Sequence, residues 1–198
     1  DVYKRQAVTR LVNEERVIGI IGPLGSAPAR EAAGEAEDKK VPIIVITHQE
    51  DITKMGSYIF RNFITDEMQM KTLVRYSLEN LGIRSFAILY PADSYGRTMM
   101  NLFRDEAMKA GGEIMGVKSY DAGQTDFGRE IKEIAGITYI ERGSRSEKEP
   151  FPTIYFDALF IPDSYSRVNM IAPQLAFYNV KDIQLLGTGK WNSPKLLE

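Results

Sequence analysis

The chain has 198 residues, 43% of them hydrophobic, a length that buries one large core or two smaller ones. Its 25 basic and 27 acidic residues leave a net charge of −2, with no positive excess to hold a nucleic-acid backbone, and the lack of cysteine excludes disulfides and thiolate chemistry. No apolar run approaches the roughly 18 residues of a membrane span, and the opening residues carry no signal-peptide pattern.

The chain opens inside a helix, with Ala7, Leu11 and Val12 at helical spacing, and stops just after a helix starts at Ser193. It therefore reads as a piece of a longer protein. Val17 to Ile21 is a buried strand that breaks into Gly22-Pro23-Leu24-Gly25-Ser26 and then a helix, Ser26 to Lys39, ended by Val41-Pro42. A second strand, Ile43 to Ile46, leads into Thr47 and His48, and Tyr58 to Phe63 is extended.

The next helix, Asp66 to Leu81, carries one apolar stripe through Met70, Leu73, Val74 and Leu78, with Asp66 and Gln69 placed as a capping box and Gly82 as the stop. Strand Phe86 to Tyr90 is followed by Asp93 and a helix from Ser94 to Ala110. Glu113 to Tyr120 reads as a strand, and a short helix follows Asp126. Arg142 to Glu149 is a charged loop with a solvated surface. Strand Ala158 to Ile161 leads to Asp163, and the helix Ser166 to Phe177 is kinked or divided at Pro173. Strand Gln184 to Leu186 comes last. Apolar runs alternating with helical patterns give an α/β fold with doubly wound parallel sheets.

Several residues follow strands directly, where open α/β sheets bind ligands. The run from Gly22 to Ser26 either aims amides and the Ser26 hydroxyl at an anion or simply caps the helix. It has neither a dinucleotide fingerprint nor a P-loop lysine. His48 is the single histidine, so no zinc site is expected, and no serine sits in a nucleophile elbow. Asp93 and Asp163, each followed by Ser-Tyr, either hold Mg²⁺ for phosphoryl-transfer or hydrolytic chemistry or belong to helix-initiating turns. Tyr95 and Trp191 either line a cleft or pack.

With Ser26, Thr47, Tyr95, Gly187 and Trp191 all placed after strands, the chain resembles the type I periplasmic binding proteins, in particular the leucine and branched-chain amino-acid receptors. The likeness rests on Val17-Ile18-Gly19-Ile20-Ile21-Gly22-Pro23, Val41-Pro42-Ile43-Ile44, Tyr58-Ile59-Phe60-Arg61-Asn62 and Ala92-Asp93-Ser94-Tyr95-Gly96. It implies two lobes, residues 1–62 in the first and 63–198 in the second, hinged near Arg61 to Thr65, with a ligand in the cleft stabilising the closed form. The function implied is non-enzymatic and extracytoplasmic: binding a small polar solute such as an amino acid for an ABC permease, without cofactor or metal, from a protein with a signal or lipid anchor upstream.

Carried over to this chain, Ser26 and Thr47 hold a ligand carboxylate and Tyr95 closes over it, with His48, Asp163 and Trp191 completing the candidate set. The resemblance also implies a carboxylate after the last strand for the ligand's ammonium, and Gly187-Thr188-Gly189-Lys190-Trp191 offers none. That segment and Phe156 to Asp163 look more like the penicillin-binding-protein activators, envelope lipoproteins, which implies contact with a cell-wall synthase instead.

Overall fold

A computed structural model describes residues 2–141 and 148–196. They form two compact units, residues 1–68 and 69–198, whereas the sequence reading places its boundary after Asn62.

The first unit contains α1 (Val2–Asn13), β1 (Ile20–Leu24), α2 (Ser26–Asp38), β2 (Ile43–Ile46), a 3-10 turn (Glu50–Met55) and β3 (Ile59–Arg61). The strands make a parallel sheet in the order β1-β2-β3. Its inner face, Ile20, Ile43, Val45 and Ile59, packs on Ala29, Ala32, Ala33 and Ala36 of α2. Alanine at these positions lets the helix backbone lie close to the sheet. Across α1 the contact is made by Val8 and Val12, not Ala7, which is exposed. Thr9 Oγ1 donates to Glu35 at 2.7 Å and Arg5 Nε at 3.2 Å, fastening α1 to α2. The Thr9 bond is the main reason that the Glu35 carboxyl lies below the ordinary carboxylate range.

Strand β1 starts three residues later than the apolar run suggests. Its ladder pairs Ile20 with Ile43 and Ile21 with Ile44, shifts register, and resumes with Leu24 opposite Ile46. Backbone pairing thus places Gly22 and Pro23 inside the strand, and Ile18, 97% exposed, outside it. Gly25 caps α2 at φ +95°, a conformation in which a side chain is strained.

The helix α3 (Asp66–Glu79) leads into the second unit, which holds β4 (Ser85–Pro91), α4 (Ser94–Lys109), β5 (Glu113–Tyr120), α5 (Gly128–Ile134), β6 (Thr138–Glu141), β7 (Lys148–Phe151), β8 (Ala158–Phe160), α6 (Tyr165–Phe177) and β9 (Gln184–Leu186). Two 3-10 turns follow, Gly189–Trp191 and Pro194–Leu196. Its main sheet is parallel, in the order β5-β4-β8-β9. Side chains alternate along each strand, so Phe86, Ile88 and Phe160 face α3 and α4 while Ala87, Leu89, Leu159 and Ile161 face α5 and α6. Phe103 stacks on Phe160 at 4.1 Å and meets Phe86 edge-on at 5.4 Å.

Three local expectations change. The cap of α3 is Thr65, whose Oγ1 accepts from the Met68 amide at 3.1 Å, so the Asp66 and Gln69 capping box does not form. Helix α6 is not divided at Pro173, which lies inside one continuous helix. Part of the charged loop is ordered: β6 and β7 pair antiparallel, Thr138 opposite Phe151, while residues 142–147 lie outside the described residues.

Candidate functional site

The second sheet contains a reversal of strand order. From β4 the chain moves outward to β5, and from β8 it moves the other way to β9, so the reversal lies between β4 and β8. The carboxyl ends of strands at such a reversal are where doubly wound sheets take ligands. Three loops meet there: Ala92 to Tyr95 after β4, Ile161 to Ser164 after β8, and Gly187 to Trp191 after β9.

Side chains tie these loops together. The Tyr95 hydroxyl donates to Thr188 Oγ1 at 3.1 Å, reaching from the β4 loop to the β9 loop. Lys190 lays its ammonium over the Tyr95 ring, 3.3 Å from the centroid, a cation held by the ring's negative face. Trp191 donates its Nε1 to the Ile161 carbonyl at 3.2 Å, and its ring packs against the second core. This explains Gly187, where a Cβ would stand 2.1 Å from the indole.

Both aspartates of the reversal are engaged within the protein. Asp93 caps α4, accepting from the Gly96 amide at 2.7 Å. Asp163 accepts from the Tyr120 hydroxyl at 2.7 Å and from the Ser164 amide at 2.6 Å, with Arg167 Nε 3.8 Å away. Burial, reinforced by the bond to Asp163, pushes the Tyr120 phenol well above its ordinary value, so it remains a donor. Among the described residues no cluster of three His, Asp or Glu is placed to hold a metal ion.

In the first unit, Ser26 begins α2 and Thr47 follows β2, and their hydroxyls share a hydrogen bond of 2.9 Å. Thr47 is 1% exposed and also accepts from the Gln49 amide at 3.2 Å, while Ser26 is exposed. Ser26 is not the cap, since Gly25 holds that position. The first turn offers the amides of Ser26 and Ala27 only, because Pro28 has none and Ala29 bonds to the Gly25 carbonyl. His48 is exposed, edge-on to Phe63 at 4.2 Å and 3.9 Å from Asp66.

The periplasmic binding protein family model matches residues 4–136. The chain belongs to that family. Solved structures agree with the fold. A leucine-binding protein from Thermotoga maritima is 20% identical with a TM-score of 0.59, and 99% of this chain covers 51% of it. A putative branched-chain amino-acid ABC transporter protein from Rhodospirillum rubrum is 18% identical with a TM-score of 0.77, and 98% of this chain covers 51% of it. A solute-binding protein from R. palustris, solved with 4-hydroxybenzoate, is 18% identical with a TM-score of 0.57, covered 50% by 98% of this chain. The chain thus spans about half the length of these relatives. No curated protein matches it.

Within this periplasmic binding protein chain, the sequence candidates separate into two polar groups and some structural members. Ser26 with Thr47, and Tyr95 with its neighbours, are the groups with hydroxyls at strand carboxyl ends. Thr188 and Lys190 are the members that strand-end reasoning passed over, although a threonine after a strand is the same signal that singles out Thr47. A groove of about 440 Å³ lined by Lys71, Arg75, Leu78, Glu79, Arg84, Glu106 and Ala110 lies at the opposite end of the second sheet, since Arg84 precedes β4. It is away from the reversal.

Proposed function

We propose that this chain recognises a small polar solute, an amino acid or related compound, as part of an extracytoplasmic substrate-binding protein of an ABC transporter, and catalyses no reaction. The observation that carries this reading is the bond between Tyr95 and Thr188, which links the loops after β4 and β9 across the reversal. The Ser26 and Thr47 pair supports it with a second set of hydroxyls at strand ends. The solved relatives bind solutes of this size, leucine in one and 4-hydroxybenzoate in another.

Thermal unfolding of the complete protein against a panel of amino acids and small carboxylates tests the reading. A ligand that binds only the folded state adds RT ln(1 + [L]/Kd), about 2.7 kcal/mol at a hundredfold excess over Kd. At least one compound should raise the Tm, and Tyr95→Ala should weaken that compound's binding about tenfold, the effect of roughly 1.4 kcal/mol. A panel without a single rise would overturn solute binding and favour a protein-interaction module.

A further inference from the structure

Lys190 is exposed, yet its ammonium is fixed over Tyr95, and Tyr95 is itself fixed by Thr188, two residues before the lysine. Elsewhere Lys39, Lys109 and Lys118 each lie within 4 Å of a carboxylate, but among the described residues Lys190 has no such partner. The carboxylates that follow β4 and β8 are engaged within the protein, Asp93 by the Gly96 amide and Asp163 by Tyr120, Ser164 and Arg167. Arg167 is spent as well, on Asp163 and on the carbonyls of Ala122 and Gln124. Lys190 is therefore a positive charge held beside the reversal with no carboxylate within 4 Å among the described residues.

We infer that Lys190 selects the ligand by charge, favouring a diacid over a monoacid or an α-amino acid of the same carbon skeleton. The inference rests on the proposed solute-binding function. A carboxylate brought to Lys190 gains a charge-assisted hydrogen bond from an ammonium that is already positioned, whereas a ligand ammonium meets like charge. The Tyr95 ring holds the lysine in place without neutralising it.

The test uses matched five- and six-carbon series on the complete protein by calorimetric titration: glutarate, pentanoate and norvaline, then adipate, hexanoate and norleucine. One diacid should bind at least tenfold tighter than its monoacid and amino-acid counterparts. Lys190→Met should remove that preference, Lys190→Arg should retain it, and added salt should weaken the diacid more than the monoacid. If a monoacid or amino acid binds as tightly as its diacid, or if Lys190→Met changes diacid affinity less than twofold, charge selection is wrong and solute binding stands. If no member of either series binds and the wider panel also gives no rise in Tm, both readings fall together.

Discussion

In the second unit, β4 and β8 present alternate residues to two helical layers, so Phe86 and Phe160 are buried on one face and Leu89 and Leu159 on the other. Among the described residues of the first unit, α2 covers one face of the sheet. The registered row Ile21, Ile44 and Phe60 runs across all three strands on the other face, 79%, 37% and 52% exposed. Within this 198-residue chain, similar apolar strands thus stand in two environments.

The contrast can be pressed hardest at Phe103, fully buried between Phe86 and Phe160. Phe103→Ala should cost about 3–5 kcal/mol, read as a fall in the urea midpoint of the second unit's unfolding. A smaller effect is expected at Asp157, which accepts from the Arg84 and Ser85 amides and the Ser85 hydroxyl and so staples the start of β8 to the start of β4. These bonds, the Arg84 amide first, hold its carboxyl below the ordinary range. Because Asp157 is exposed, Asp157→Asn should cost about 1 kcal/mol at neutral pH. A depressed folded pKa stabilises above the unfolded value, near pH 4, and that contribution disappears as pH falls through the folded value. Urea midpoints of the two proteins should therefore converge under acid. The smallest effect belongs to the open face of the first unit: in the 198-residue chain Phe60→Ser should change stability by no more than about 0.5 kcal/mol. A loss of about 2 kcal/mol would show instead that Phe60 is covered.

The same contrast governs what was legible in the sequence. Strands buried on both faces announce themselves as continuous apolar runs, and Phe86 to Tyr90 and Ala158 to Ile161 sit close to β4 and β8. Val17 to Ile21 misled because apolarity there does not track burial: Ile18 is solvent-facing, and β1 is positioned by its ladder to β2. The β6 and β7 pairing is not read from the sequence because only a short apolar run, Ile137 to Ile140, precedes the charged stretch and β7 opens on Lys148 and Glu149. Among the candidate residues, Ser26, Thr47 and Tyr95 are singled out by their position after strands. Thr188 and Lys190 are not, because their roles depend on Tyr95 reaching across from a loop 93 residues away.

The hydroxyl pair of Ser26 and Thr47 has no fixed polarity, since either oxygen can be the donor in the bond they share. When Thr47 donates, the Ser26 proton is free for another acceptor; when Ser26 donates, its oxygen can only accept from further partners. One proton reversal therefore changes what the first unit shows a guest without changing the charge of the protein.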